Sequence, residues 1–97
     1  MIQISQVRIY PFETHGLGGR TLAYADITLN ASLLLKGLRV VEGRGGGLFV
    51  TFPAQRARDG RYHELVVPLN GETREYIRAT VIEAFQQWSP TDTQTER

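Results

Sequence analysis

Residues 42–53 read EGRGGGLFVTFP, and the glycines at the start of this stretch decide how the chain around them folds. A phosphate-binding glycine loop lies between a strand and a helix N-terminus, and it usually ends in Gly-Lys followed by Ser or Thr. Here the glycines run into LFVTFP, whose aromatic and β-branched residues are typical of a strand. Because glycine readily adopts the positive φ of tight turns, the stretch predicts a β-hairpin and not a nucleotide site.

Extended segments lie on both sides of this hairpin. Four further segments read as strands from their apolar and β-branched residues: 4–12, 21–30, 32–43 and 62–70. The clearest alternation is in residues 21–30, where one face carries Ala23, Ala25, Ile27 and Leu29. A polar loop is predicted over residues 54–61, with Asp59-Gly60 as its turn.

The hydrophobic period changes after Asn70. Apolar residues then recur at helical spacing, at Ile77, Val81, Phe85 and Trp88, with Tyr76 and Ala84 widening the stripe. Asn70 is the predicted N-cap and Pro90 the predicted stop. We therefore expect one domain over residues 1–89 and a polar, disordered tail over residues 90–97.

These elements predict an α+β fold, in which a small antiparallel β-sheet of about five strands precedes one C-terminal amphipathic helix. A single helix covers only one side of one sheet. The apolar surface that it leaves uncovered predicts a homodimer.

Composition excludes several classes of protein. Eleven basic and ten acidic side chains give a net charge of +1, so any nucleic-acid surface must arise from segregated charge. Cysteine is absent, which excludes disulfides, zinc–thiolate sites and cysteine nucleophiles. The chain shows neither a signal peptide nor an apolar run near the ~20 residues of a membrane span, so we expect a cytoplasmic protein with no membrane partner.

Catalytic and metal-binding patterns have little support. His15 and His63 lack the spacing of a metal site, and no third ligand lies near them in the sequence. None of the three serines lies in a nucleophile elbow. We therefore expect no enzyme activity, no cofactor, no metal and no small-molecule substrate.

Arginine dominates the basic residues: ten of the eleven are Arg, and Lys36 is the only Lys. The planar guanidinium fork suits phosphates and guanine edges, although a GC-rich coding sequence would also favour arginine codons. Five arginines form the candidate nucleic-acid site: Arg56, Arg58 and Arg61 in the polar loop, and Arg74 and Arg78 one turn apart on the helix. If the loop lies beside the helix start, these groups face one phosphate backbone. The alternative is a solvated loop and a helix surface joined by pairs such as Arg78 with Glu75.

Other charged and aromatic residues give a weaker signal. Lys36 and Arg39 are predicted to point in opposite directions on one strand and so to form no common patch. A structural role for Arg39 beside Glu42 is one alternative. Five aromatic residues are candidates for stacking on bases, namely Tyr10, Tyr24, Phe49, Phe52 and Tyr62. For Phe49 and Phe52, packing in the core or in a dimer interface is the favoured interpretation.

The order of several short segments resembles the stage V sporulation protein G (SpoVG) family, also called septation proteins. The segments are ADITLN, LRVVEG, GLFVTFP, RDGRYHELVVPLN and the TR that opens the helix, and the similarity covers about residues 5–88. The family pattern has a strand of the form A.ITL, then IRVIDG, GLFVAMP with a basic pair, a DG turn and an aromatic residue leading into IAHPI. The glycines fall on the family's hairpin between RVIDG and GLFV.

The resemblance implies a small, dimeric, cytoplasmic bacterial protein that binds DNA and RNA and is linked to sporulation, septation and regulation of gene expression. The family's basic pair falls on Gln55 and Arg56, so one basic residue is kept, and its TR is kept as Thr73 and Arg74. Three positions depart from the pattern: Arg58 replaces a proline, His63 an arginine and Val67 a histidine.

Two functions follow from this sequence. The first is a dimeric nucleic-acid-binding regulator whose five arginines contact phosphates. The second is a non-catalytic protein–protein interaction module that presents its sheet edge or helix to a division or signalling partner. The resemblance favours the first function, which is the one we expect. The near-neutral charge and the departures from the family's basic positions favour the second, which remains the alternative.

Overall fold

The computed structural model describes residues 2–12 and 20–88. Within them the chain forms six strands and one helix: β1 (Ile4–Pro11), β2 (Arg20–Leu29), β3 (Leu33–Glu42), β4 (Leu48–Thr51), β5 (Ala54–Arg56), β6 (Tyr62–Glu64) and α1 (Gly71–Gln87). Antiparallel strands followed by a C-terminal helix confirm the α+β class. The predicted stop at Pro90, the tail over residues 90–97 and the loop that carries His15 lie outside the described residues.

The strands divide into two sheets. The first is an antiparallel meander in the order β1-β2-β3-β4, and the second is the hairpin β5–β6. The predicted loop is wrong for residues 54–56, which form β5, and the predicted strand over residues 62–70 ends at Glu64. Pro53 lies between β4 and β5 and has no amide hydrogen to donate, so it is a suitable residue at which to leave the first sheet.

The glycine stretch forms the predicted hairpin between β3 and β4. The Gly43 amide donates to the Gly47 carbonyl at 2.9 Å, and the Gly46 amide donates to the Gly43 carbonyl at 3.0 Å. Gly46 has φ of 88°, a conformation that is unfavourable for residues with a Cβ. The turn therefore supports the strands and has no helix N-terminus with which to bind phosphate.

The core lies between α1 and one face of the first sheet. Its fully buried members from the strands are Ile9, Ala23, Ala25, Ile27, Leu38 and Val40. Helix α1 contributes Ile77, Val81 and Ile82, of which Ile82 lies outside the predicted stripe. Phe85 and Trp88 pack only partly buried at the edge.

One hydrogen bond caps the helix, and another joins it to the sheet. The Asn70 side chain accepts from the Thr73 amide at 2.8 Å, which confirms the predicted N-cap. The Tyr76 hydroxyl accepts from the Ile4 amide at 2.8 Å and so joins α1 to the first strand.

A β-bulge in β3 was not predicted. Ala25 pairs with Leu38 and Ile27 with Leu35, so two residues of β3 lie opposite Asp26 alone. The second of these is Gly37, with φ of 93°.

The bulge changes the direction of the side chains that follow it. Arg39 pairs with Tyr24, and Lys36 lies opposite Asp26, so both cations lie on the sheet face turned away from α1. The prediction that Lys36 and Arg39 point in opposite directions is therefore wrong. The extra residue restores the alternation that a regular strand would have broken.

Candidate nucleic-acid interface

Three of the five candidate arginines lie on the β5–β6 hairpin, residues 54–64, which we call the arginine hairpin. Its turn is closed by the Ala57 amide donating to the Arg61 carbonyl at 2.7 Å and the Gly60 amide donating to the Ala57 carbonyl at 3.0 Å. Gly60 has φ of 87°. This geometry places Arg56 at the end of β5, Arg58 in the turn and Arg61 just before β6.

The arginine hairpin exposes its charges. The Arg61 side chain is 81% exposed, and its Nε lies 3.8 Å from Oδ2 of Asp59, a loose pair in solvent. Arg56 and Arg58 are exposed and form no ion pair with any other described residue. The hairpin therefore presents three guanidinium groups of which one has a weak local partner.

Arg74 connects the helix start to the arginine hairpin. Its Nη2 lies 3.3 Å from Oε1 of Glu64 on β6. Its guanidinium also lies over the Phe52 ring, 5.0 Å from the centroid, in a cation–π contact. The helix start therefore contacts β6 at the end of the hairpin away from its turn.

Arg78 is engaged by a neighbour on its own helix. Its Nε donates to one oxygen of Glu75 at 2.9 Å, and its Nη2 donates to the other at 2.8 Å. These hydrogen bonds lower the pKa of Glu75 and raise that of Arg78. The structure thus shows the alternative of an intrahelical pair for Arg78. Of the five candidate arginines, Arg78 has the guanidinium least available to a ligand.

Sequence reasoning named Tyr10 and Tyr24 as stacking candidates but did not place them on one sheet face with cations. That face is turned away from α1, and we call it the open face. It carries Arg8, Tyr10, Tyr24, Lys36 and Arg39. The lone glycine inside the third predicted strand was the available signal, because an isolated glycine in a strand often marks a bulge.

The remaining charged and aromatic expectations have mixed outcomes. Arg39 donates to the Thr51 hydroxyl at 3.3 Å, whereas Glu42 accepts from Arg20 at 2.9 Å. The alternative of a structural role for Arg39 beside Glu42 is therefore not observed among the described residues. Phe52 is buried in the core, as the packing interpretation predicts, whereas Phe49 is 41% exposed.

Two properties of the described residues bear on other functions. Over residues 2–12 and 20–88, no group of three or more His, Asp or Glu side chains is placed to hold a metal ion. In the same part of the chain, α1 is too short and too polar to cross a membrane.

Comparison with known proteins identifies the family. The SpoVG family model matches residues 2–87. Several relatives are each named "Putative septation protein SpoVG". One from Archaeoglobus fulgidus is 36% identical over 87 residues, covering 90% of this chain and 98% of the relative.

Two other relatives extend this similarity. One from Exiguobacterium is 37% identical over 84 residues, covering 87% of this chain and 81% of the relative. One from Borreliella afzelii is 28% identical over 95 residues, covering 98% of this chain and 97% of the relative. From the family match and these relatives, this chain belongs to the SpoVG family.

Proposed function

We propose that this chain is a dimeric, non-catalytic regulator that acts in the cytoplasm by binding DNA or RNA. The observation that carries the proposal is the arginine hairpin, in which Arg56, Arg58 and Arg61 are exposed. Among the described residues, their one acidic partner is Asp59, in a loose pair with Arg61. Guanidinium groups in this state are available to displace counterions from a phosphate backbone. Net charge of +1 is compatible with binding because these cations are concentrated on one projection.

Arg74 and Arg78 have different parts in this proposal. Glu64 and Phe52 hold the Arg74 guanidinium beside β6. From this position Arg74 contributes a weaker phosphate contact than the exposed arginines of the hairpin. Arg78 must exchange its bidentate bonds to Glu75 for phosphate, so its contribution is the smallest.

The first experiment is fluorescence-anisotropy titration of random-sequence duplex DNA and single-stranded RNA over a series of salt concentrations. Wild type should bind both with a steep negative salt slope. Arg56→Ala and Arg58→Ala should each weaken binding of all sequences and reduce the salt slope by about one unit.

Arg44→Ala is the matched control, since Arg44 is an exposed arginine in the glycine turn between β3 and β4. It should bind as wild type does. Equal losses in Arg44→Ala and Arg56→Ala would contradict a specific role for the arginine hairpin. Absence of binding at the lowest salt would contradict nucleic-acid binding itself.

Exposed apolar residues before α1 support the dimer. Leu65, Val67 and Leu69 are 62%, 55% and 93% exposed. Val67 and Leu69 line a shallow apolar groove together with Val66 and Ile77. A partner copy that covers this segment would remove a surface that water disfavours.

Sedimentation equilibrium tests the dimer directly. Wild type should sediment at twice the monomer mass, and Leu69→Asp should shift the population towards monomer because it places a charge in the interface. Thr80→Asp is a control on the helix surface, where the hydroxyl donates only to the Tyr76 carbonyl. A wild-type monomer at all concentrations would contradict this part of the proposal.

The same exposed segment favours a second candidate, a protein-interaction module without nucleic-acid binding. In that case Leu65 and Leu69 contact a different protein and the arginine hairpin remains solvated or binds an acidic surface. A pull-down that is insensitive to nuclease, with no binding of DNA or RNA at low salt, would favour this candidate.

A further inference from the structure

We propose that the open face is a stacking platform for single-stranded nucleic acid, with bases on Tyr10 and Tyr24 and phosphates on Arg8, Lys36 and Arg39. The inference rests on the proposed function, because it presumes that the chain binds nucleic acid. It adds a second binding surface to the arginine hairpin and predicts that the ligand at this surface is single-stranded. Unpaired bases can stack on aromatic side chains, whereas those of a duplex are stacked on each other.

Aromatic rings are grouped on this face. Tyr10 and Tyr24 are directly opposite each other on β1 and β2. Phe12 lies beside them, with its ring centroid 5.4 Å from that of Tyr24 and the ring planes at 38°. Phe12 is 51% exposed, and both tyrosines are partly exposed. A group of rings at a sheet surface is the arrangement on which successive bases stack.

Positive charge surrounds these rings. Arg8 and Lys36 line a shallow depression with Tyr10, and Arg39 lines a second depression with Tyr24. These three cations share the face with one acid among the described residues of the two depressions, Asp26.

Asp26 lies among these cations, with Arg8 opposite it on β1 and Lys36 opposite it on β3. It is 8% exposed, and its Oδ1 accepts from the Gly37 amide at 3.3 Å. The carboxylate is thus directed at the bulge, and its hydrogen bond holds the bend that brings Lys36 and Arg39 to one face. Three cations and one acid leave the described side chains of the two depressions with a net positive charge, which complements a phosphodiester chain.

The open face continues into the arginine hairpin. Tyr62 lines the same depression as Tyr24 and Arg39, and it is 70% exposed. Its cross-strand partner on β5 is Arg56, so the two side chains lie on the same side of the hairpin. A single strand lying over Tyr10 and Tyr24 therefore reaches Tyr62 and Arg56 without leaving the surface.

Two ligand sources share this chemistry, and the test separates them. The probes are a fluorescein-labelled oligouridylate and an oligothymidylate, each of about 12 nucleotides, together with a random-sequence DNA duplex. Comparing the two single strands reports on the 2′-hydroxyl, and comparing either with the duplex reports on stacking. Binding of both single strands with similar affinity supports a platform that reads base faces and backbone alone.

The diagnostic variants are Tyr24→Leu and the pair Lys36→Gln and Arg39→Gln. Tyr24→Leu keeps an apolar side chain on β2 and should weaken both single strands by about 5- to 100-fold while leaving duplex binding unchanged. The charge variants should weaken the single strands and reduce their salt slope. Arg44→Gln is the matched charge control and Arg56→Ala the control for the hairpin, which should weaken single strand and duplex alike.

A fluorescence measurement reports base stacking directly, so it does not depend on whether Tyr24→Leu changes the stability of the protein. Trp88 has a buried Nε1 with no hydrogen-bond partner among the described residues, so Trp88→Phe should be tolerated. In that background Tyr24→Trp places a single indole on the open face. Oligouridylate should quench its emission, and the parent Trp88 protein should show no such quenching.

Three outcomes decide the inference. Selective loss of single-strand binding in Tyr24→Leu, with quenching of the introduced indole, supports it. Wild-type binding of nucleic acid with Tyr24→Leu unchanged overturns the platform and leaves the proposed function intact. Failure of wild type to bind any of the probes overturns both.

Discussion

The four-stranded sheet with α1 and the arginine hairpin are built on different principles. The sheet and helix enclose the residues with zero exposed surface, including Ile9, Ile27, Leu38 and Val81. The arginine hairpin has no buried residue in either strand, and its strands pair only with each other. The four-stranded sheet with α1, which we call the body, is stabilised by removing apolar surface from water. The arginine hairpin is stabilised by its turn, a short ladder of backbone hydrogen bonds and a few contacts to the body.

The comparison explains where the exposed charge is located. A buried position cannot hold an unpaired guanidinium, because desolvating the charge is costly. The side chains of the arginine hairpin are exposed, so their guanidinium groups are not desolvated, and Arg56 and Arg58 remain accessible to a ligand. The open face combines both features, because its exposed cations project from strands whose opposite side is the buried core.

A core substitution should break the body with the largest effect. Leu38→Ala removes a fully buried side chain from the centre of β3 and should lower the free energy of unfolding by about 2–5 kcal/mol. His63→Ala is the control on exposed β6 and should change that free energy by less than about 0.5 kcal/mol. Urea unfolding followed by far-UV circular dichroism measures both.

Equal effects of these two substitutions would contradict the division of the molecule into a packed body and a weakly packed hairpin. A large loss in His63→Ala alone would show that the hairpin contributes to global stability. The urea m-value distinguishes a change of stability from a change in how much surface unfolds.

Two glycines with similar backbone conformations provide a second contrast between the two regions. Gly37 in the body has φ of 93°, and Gly60 in the arginine hairpin has φ of 87°. An alanine at either position meets a backbone cost of roughly 1–2 kcal/mol. In Gly37→Ala that cost should appear in the global free energy of unfolding, because the bulge is inside the main sheet.

In Gly60→Ala the cost should instead appear as local opening. Hydrogen exchange of the Ala57 amide, which donates to the Arg61 carbonyl, should accelerate while the global free energy of unfolding changes less than in Gly37→Ala. The space around each added methyl is not the cause, since its closest neighbour would be 3.8 Å away at Gly37 and 3.9 Å at Gly60. A larger global effect from Gly60→Ala would show that the hairpin and the body unfold together.

The sequence predicted the features that depend on local patterns. Alternation in β2 identified its buried face, the glycines identified the β3–β4 hairpin, and Asn70 identified the start of α1. Each of these depends on residues that are neighbours in the chain, so the signal is present in a short window.

The sequence did not predict the features that depend on register. Gly37 shifts the pairing of β3 with β2, and that shift alone places Lys36 and Arg39 on one face. Arg74 was predicted from a motif, but its contacts with Glu64 and Phe52 join segments that are distant in sequence. Tyr10 and Tyr24 were named as stacking candidates, but their position beside the cations was not predicted, because the tyrosines and cations of the open face come from three strands.

Ion pairs in the two regions offer the smallest of the expected effects. On α1, Arg78 donates two hydrogen bonds to Glu75, and these lower the pKa of the Glu75 carboxyl in the folded protein. The pair therefore contributes stability above the ordinary glutamate pKa of about 4.3. That contribution is lost as the pH falls through the lowered value, because protonation removes the charge that Arg78 binds.

Glu75→Gln should thus lower the urea midpoint slightly at neutral pH, and the difference from wild type should close as the pH falls below about 4.3. Asp59→Asn is the matched change in the arginine hairpin, where Arg61 lies 3.8 Å from the carboxylate and the amide side chain still accepts from the Arg61 backbone. It should leave the midpoint unchanged at every pH, since the pair is loose and solvated. Urea titrations of both variants at a series of pH values make the measurement. A difference for Glu75→Gln that persists in acid would show that the glutamate stabilises α1 by packing and not by its charge.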